Sequence, residues 1–531
     1  MGIADYAILA AYFSAVLYVG ARLKTRILTG DDYFLSGRSL PSWITGLSYM
    51  AANLGSLELM GFVANGAKYG MFASQLYWIG SVPAMIFAGL IMVPFFYSNR
   101  VKSVPEYLYR RYDEKTRTLN AIGFAVLTIL TSGINLYGLA IVLNVLFGWP
   151  IHLSIFAAAG TVLFYVGWGG LTASIFNEVF QLLLIVVGLL PLTFYVLSAV
   201  GGVEALKQRL PAVMLHAWKP VLAPTGTPYG GGLFSVVVNI GFVAGFSYWS
   251  TDFLVMQRTF AARDLESAKK TPLIAACVKA LFPFLTIVPG LAALLVIPRQ
   301  MHGNFNLALP LLLVYFYPKG LLGIGVTALV ASFMSGMAGN LTALNTVWTY
   351  DLYHTYIAPG KSDQHYLFVG RAATLAGVAL SIATAYFALR FEDMFDYWAL
   401  LSSIFVGTGF ATFLLGIAST RITGTGAFCG MLAGFVTAIG NYVLYRAGVF
   451  HYGSLMQMDF MGGTAGFATN AVTAWAVSLF GRPKQKSELQ GLVYSLRPPR
   501  CSLPSGRWYS RPAFLAIAVA GLTVALNVVF W

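Results

Sequence analysis

Runs of about twenty apolar residues recur along the chain, separated by short stretches that carry most of its charge. A helix needs about 20 such residues to cross a ~30 Å hydrocarbon core, and in lipid it must satisfy its own backbone polar groups. Fourteen runs meet that length: 5–22, 43–65, 72–97, 118–146, 151–167, 172–200, 233–254, 272–297, 307–350, 366–388, 395–418, 426–446, 464–480 and 512–531. The pattern predicts an all-α polytopic membrane protein with about 14 transmembrane helices. Run 307–350 is too long for one crossing and is interrupted by Pro318-Lys319-Gly320. It therefore predicts a short outer helix over 307–317 and a spanning helix from Leu321. No basic residues precede the first run, and Arg22, Lys24 and Arg26 follow it; a cleaved signal has the opposite order. The first run is read as a retained span.

Charge placement gives the sidedness. With the first loop cytoplasmic, alternate loops collect two thirds of the 33 lysines and arginines, including Arg100 to Arg117 and a cluster between Arg482 and Arg511. Positive residues stay on the cytoplasmic side during insertion, so both termini are expected outside, in a multi-pass cell membrane protein of the bacterial inner-membrane type. The segment around Pro105, a residue suited to a first helical turn, reads as a cytoplasmic surface helix of mixed charge.

Only 10% of the 531 residues are charged, against about 25% in soluble domains. This excludes an ordinary soluble enzyme, and topology accounts for the net charge of +14 without nucleic acid. Cys277 and Cys429 lie in apolar runs and read as small buried hydrophobes. The six histidines form no HExxH spacing and no Walker A motif occurs, which leaves neither metalloenzyme nor ATP-driven pump. No cofactor and no obligatory protein partner is indicated.

Two segments are too polar for plain lipid-facing helices. Leu47 to Gly61 places Ser48, Asn53, Gly55, Ser56 and Glu58 in mid-span, and Asn239 to Asp252 combines Gly241, Gly245, Ser247, Ser250, Thr251 and Asp252. Gly241 and Gly245 suit close helix packing; the segments also suit locally unwound helices, whose free carbonyls and amides bind ions and polar solutes. They lie about 190 residues apart. That spacing fits two five-helix units, 43–200 and 233–418, related as an inverted repeat. Residues 1–42 precede them as a leading helix and cytoplasmic loop, and 201–232 join them as an external loop. Residues 419–531 follow as three helices with a basic cytoplasmic loop, 481–511.

Five blocks in order then identify a resemblance: GDDYFLSGRSLPSW (30–43), MAANLGSLELMG (50–61), YVGWGGLTASIFNEVFQ (165–181), YWSTDFLVMQRTFAARDLESAKK (248–270) and FMSGMAGNLTALNTVWTYDLY (333–353). Over residues 5–446 the chain resembles the sodium:solute symporter family, which includes sodium–glucose transporters. The resemblance implies a LeuT-like five-plus-five inverted repeat with flanking helices, and alternating access driven by Na+. It places the Na+ site on the carbonyls of Ala51, Leu54 and Ser332 and the hydroxyl of Ser335, with Glu178 near the ion path. Gly336 stands where the family has a second hydroxyl, and Thr342 where it has an asparagine. Proton coupling is therefore the alternative to Na+, and a serine restored at 336 is expected to tighten the site if the backbone leaves room.

For the solute, the resemblance implies a pocket at Asn53, Glu58, Tyr77, Trp78, Trp249, Lys279 and Asp396. Lys279 is retained from sugar-transporting relatives, while Glu58 and Asp396 replace neutral polar residues and Gly245 replaces an asparagine. An intramembrane carboxylate or lysine is a functional candidate because burying it unpaired is expensive, although Glu58 also suits a structural ion pair and Asp396 an outer rim. The favoured solute is a sugar or sugar derivative; amino acids, nucleosides, amines and monocarboxylates are alternatives, and a non-transporting solute sensor is a remote one.

Overall fold

A computed structural model of the chain describes residues 2–24, 36–166, 170–222, 228–301, 303–390, 393–496, 508 and 511–531. Expectations that fall on Arg26, Arg497, Arg500 and Arg507, on the opening of the block at 30–43, and on Gly167 to Gly169 lie outside the described residues. Within them the regular structure is helical, apart from one isolated bridge between Leu40 and Ala262.

Nine helical runs among the described residues are long and apolar enough to cross a bilayer: Leu57–Ser98, Glu114–Phe147, Leu171–Val200, Leu265–Val296, Leu321–Ile357, Asp363–Ala388, Met394–Ala418, Gly424–Arg446 and Pro512–Val529. This is nine rather than the fourteen expected. The shortfall falls on helices that are broken or polar and on two counted over shorter apolar stretches, Ile3–Tyr18 of helix Ile3–Lys24 and Ile151–Leu163 of helix Ile151–Val166. Ser42–Ala52 stops at a break, and a π-helical Ser235–Gly245 runs into Phe246–Thr251 before a second break. Leu455–Leu479 is long but buries Asp459 and Asn470.

The interruption at Pro318-Lys319-Gly320 acts as expected. A short helix, Ala308–Phe316, precedes it and a long one, Leu321–Thr346, follows. Gly320 takes φ 90°, a left-handed conformation that favours glycine. Asp5 of the first helix caps this start, its carboxylate accepting the N–H groups of Gly320 and Gly323, both at 2.7 Å. Leu321–Thr346 is buried along nearly its whole length and forms the central post of the molecule. It packs against Glu114–Phe147, Gly170–Val200 and the first helix.

The segment around Pro105 forms a helix, Val104–Arg111, with Ser103 capping it through Glu106 N–H. It is not a plain surface helix. Tyr107, Leu108 and Arg111 are buried, and the Arg111 guanidinium donates to the carbonyls of Gly416 (2.8 Å), Ser419 (2.5 Å) and Ile422 (3.3 Å). It thus closes the C-terminal end of Thr408–Ala418, where free carbonyls attract a cation.

Gly424–Arg446 and Leu455–Leu479 pack through a stripe of small residues. A methyl group on Gly430 would lie 2.5 Å from Asn470 Oδ1 and 2.6 Å from its carbonyl, and one on Gly434 would lie 2.8 Å from the Gly466 carbonyl. Gly440 on the same helix has nothing within 4 Å. Close backbone approach of this kind drives helix association in lipid. Gly430→Leu is expected to cost at least the 1–3 kcal/mol typical of overpacking and Gly440→Leu almost nothing. Thermal unfolding of the two purified variants in one detergent checks this, and equal melting temperatures would refute it.

Candidate ion and solute sites

The first break follows Ser42–Ala52. Asn53 ends the helix, Leu54 N–H turns back to the Ala51 carbonyl at 2.8 Å, and helical structure resumes as a π-turn over Leu57–Gly61. The break leaves carbonyls pointing sideways, and Leu321–Thr346 meets them with hydroxyls. Ser335 Oγ donates to the Ala51 carbonyl at 3.0 Å, and Ser332 Oγ lies 3.1 Å from the carbonyls of both Leu54 and Gly55. Ala51, Leu54, Ser332 and Ser335 are fully buried. The four residues named for Na+ are thus brought together, and their oxygens are hard donors of the kind that hold Na+ at helix breaks. Thr342 turns its hydroxyl back to the Ala338 carbonyl of its own helix and takes no part.

Position 336 has no room for a serine. A Cβ there would lie 2.7 Å from Gly55 Cα and 3.2 Å from both heteroatoms of the Asn135 carboxamide. The expectation that Gly336→Ser tightens the site is overturned by this contact.

Glu178 is close to the break but fully engaged. Its carboxylate accepts from Ser174 Oγ at 2.8 Å, from Ser48 Oγ and from the Arg258 guanidinium, and both charged side chains are fully buried. Arg258 lies on Phe253–Phe260, the half-helix that follows the second break. The structure places it inside the protein. At the second break Asp252 caps the new helix, Oδ1 accepting Leu254 N–H at 2.8 Å.

Between the breaks lies a small cavity of about 50 Å³ lined by Asn53, Glu58, Phe62, Gly80, Ser81, Tyr248, Trp249, Lys279, Phe395, Trp398 and Phe460 among others. A chain of polar groups crosses one wall. Tyr248 OH donates to Asn53 Oδ1 (2.6 Å), Asn53 Nδ2 donates to Glu58 Oε2 (2.8 Å), and Lys279 Nζ donates to Glu58 Oε1 (2.7 Å). The Lys279 ammonium also sits 4.8 Å from the Tyr77 ring centre, 5.1 Å from Trp249 and 5.7 Å from Phe62. Ring faces attract a desolvated cation, and Lys279 and Glu58 are both buried beside one another.

The remaining named residues lie elsewhere. Trp78 is fully buried, donates to the Ala280 carbonyl at 3.0 Å, and packs its ring against Phe530. Tyr77 touches Lys279 from behind and bonds Thr286 at 3.0 Å. Asp396 pairs with Lys68 at 2.8 Å, near Asp393, so it joins an outer charge cluster instead of the cavity. Gly245, in contrast, lines the cavity, and a Cβ there would overlap the Gly80 carbonyl. Sequence reading missed Trp398, Phe395 and Phe460, which carry no polar signal within apolar runs, and Arg258, whose signal was its place inside the block 248–270.

The Glu178–Arg258 pair is expected to be structural in the strict sense that halving it is costly. Arg258→Met leaves a buried carboxylate and is expected to destabilise by about 3–5 kcal/mol. The double change Glu178→Gln with Arg258→Met should recover part of that loss. Thermal unfolding without Na+ checks both; a double variant as unstable as the single one would contradict the pairing.

Comparison with known proteins gives the family and the fold. The sodium:solute symporter family profile matches residues 33–434. The sodium/glucose cotransporter of Vibrio parahaemolyticus is 29% identical over 462 residues, covering 82% of this chain and 84% of that one. The sodium/myo-inositol cotransporter 2 of Homo sapiens is 28% identical over 478 residues, covering 83% and 70%. The fold matches a substrate-bound, outward-open Na+-coupled sialic acid symporter with a TM-score of 0.74 at 20% identity, over 91% of this chain and 99% of that one. A nucleobase-cation-symport-1 family transporter in a closed conformation matches at 0.51 and 12% identity, over 86% and 97%. The chain belongs to the sodium:solute symporter family, and it is a multi-pass membrane protein that acts as a Na+-coupled secondary transporter of a small polar solute and not as an enzyme.

Proposed function

We propose that the chain takes up a neutral polyhydroxylated solute, a sugar or sugar derivative, bound in the cavity between the two breaks and driven by Na+ at Ala51, Leu54, Ser332 and Ser335. The observation that carries this reading is the Glu58–Lys279 pair. Each cancels the other's charge, so the cavity holds strong hydrogen-bonding groups without a net field to select a charged solute. Lys279 has three N–H donors and Glu58 four lone-pair positions, which leaves capacity for hydroxyls beyond the bonds they exchange. Trp249 and Trp398 offer flat apolar walls for a ring. A polar site of this type rejects analogues that lack the hydroxyl far better than an apolar wall can. The glucose and myo-inositol cotransporters among the relatives support the same solute class.

The same reading keeps fourteen spans, in units 43–200 and 233–418 between a leading helix and three C-terminal ones, with both termini outside. Its support is in contacts at the two ends of the molecule. At one end Asp5 meets Gly320 and the Trp531 carbonyl meets His216. At the other, Arg421 meets the Gly481 carbonyl and Tyr107 meets Leu492, so the basic loops gather together. A cysteine at Gln485 should label only from the cytoplasm and one at Lys219 only from outside; the reverse would invert the topology.

Binding to the purified protein tests the solute site. Lys279→Ala should nearly abolish binding, because it strands Glu58 and removes the donors. Glu58→Gln should be milder for a neutral sugar and severe for a cationic solute. Wild-type affinity in both variants would place the solute elsewhere. Ser335→Ala should raise the half-saturating Na+ concentration tenfold or more. Uptake that ignores replacement of Na+ by choline but collapses with a proton uncoupler would assign the driving force to H+.

A further inference from the structure

The ion site as described draws on two helices, Ser42–Ala52 with its break and Leu321–Thr346. A third helix, Glu114–Phe147, also reaches it. Asn135 on that helix is 4% exposed, and its carboxamide lies between two bare glycines. A Cβ on Gly55 would overlap Asn135 Oδ1, and one on Gly336 would come within 3.2 Å of both Oδ1 and Nδ2. Asn135 Oδ1 accepts Ser56 N–H at 2.8 Å and Ser56 Oγ at 3.2 Å, while Ser56 Oγ also reaches the Ile134 carbonyl at 3.1 Å. Ser56 is the residue at which helical structure resumes after the break. The first N–H groups of a helix lack intrahelical partners, and in a soluble helix a local side chain or water supplies one. Here a distant helix does so.

We propose that Asn135 is a positioning residue of the coupling-ion site. It caps the second half-helix from the side and thereby fixes the Leu54 and Gly55 carbonyls where Ser332 meets them. The peptide planes make this connection stiff. The Gly55 carbonyl and the Ser56 N–H belong to one planar unit, so a bond that holds the N–H also sets the direction of that carbonyl. Gly336 and Gly55 are bare because the carboxamide occupies the space beside them. The two-helix ligand set is therefore held by a third helix that stands outside that set, and Na+ affinity should depend on residue 135. This inference rests on the ion site proposed above, and the test separates the two.

The measurement is thermal stability of the purified full chain in detergent, titrated with NaCl against choline chloride at constant ionic strength. A ligand that binds only the folded state raises stability as its concentration passes the dissociation constant, so the midpoint of the Na+-induced shift reads the affinity with no solute needed. Asn135→Ala is expected to move that midpoint tenfold or more upward while leaving the melting temperature in choline chloride within a few degrees of wild type. Asn135→Asp keeps the acceptor for Ser56 and should stay within threefold. Asn135→Ser, too short to reach Ser56, should behave as the alanine variant does and decides the matter if that variant gives no folded protein. An unchanged midpoint in Asn135→Ala or Asn135→Ser, with Ser335→Ala shifted, would overturn the role of Asn135 alone. Unchanged midpoints in all three would overturn the ion site and this inference with it.

Discussion

A helix interrupted inside a bilayer leaves carbonyls and amides that no water can satisfy, at a cost of several kcal/mol for each one unpaired. The break at Asn53 to Ser56 imposes that constraint, and much of the molecule is arranged around it. Leu321–Thr346 must run straight past the break so that Ser332 and Ser335 face the orphaned carbonyls. Asn135 must come from a third direction to take the Ser56 N–H. Gly55 and Gly336 must be glycine because three backbones and one carboxamide converge there. Ser332 and Ser335 meet the Ala51, Leu54 and Gly55 carbonyls across this junction, so the break is satisfied by hydroxyls of another helix.

Two buried ion pairs flank this junction, and they differ in what surrounds them. Glu178 and Arg258 have every nearby partner spent on each other, on Ser48 and Ser174, and on the Leu254 carbonyl. They tie Gly170–Val200 to the half-helix after the second break and present nothing to a cavity. Glu58 and Lys279 are equally buried but border open space, and their spare hydrogen-bonding positions face it. Burial of charge alone does not distinguish a strut from a recognition site. The free volume beside the charge does.

The broken helices were legible in the chain because polar residues and glycines in an apolar run have few uses, whereas Ala51, Leu54, Ser332 and Ser335 as a proposed ion site and Lys279 beside Glu58 were legible only through the resemblance to the family. The long helix from Leu321 was legible because Pro318 and Gly320 interrupt the pattern. What was illegible is the direction in which apolar and aromatic side chains point. Trp78 and Trp249 both sit in matched blocks, yet Trp78 is packed against Phe530 and only Trp249 reaches the cavity. Trp398 and Phe460 reach it from helices whose sequence reads as plain span. Asp396 was a reasonable pocket acid until Lys68, more than 300 residues away in the chain, proved to be its partner. Counting by length and apolarity leaves out Ser42–Ala52 and the pair Ser235–Gly245 and Phe246–Thr251 because the breaks cut their runs short.

The two breaks are satisfied differently. At the second break the chain supplies its own cap, Asp252 taking the Leu254 N–H, while Tyr49 of the other broken helix donates to the Trp249 carbonyl and Gly241 and Gly245 bring Ser235–Thr251 close against Ile79 and Gly80. At the first break the partners lie on other helices, so the geometry of the carbonyls depends on how those helices are disposed. An ion that gathers the Ala51, Leu54 and Ser332 carbonyls with the Ser335 hydroxyl therefore reports on, and stabilises, one relative arrangement of helices. Differential affinity of this kind is what a ligand needs in order to shift a conformational equilibrium. Asn53 extends the link to the solute: it ends the same half-helix whose carbonyls hold the ion, and its carboxamide joins Tyr248 to Glu58 in the cavity wall. Under the proposed sites, an ion that orders the break would also order the polar wall facing the solute, which is the coupling that a symporter requires.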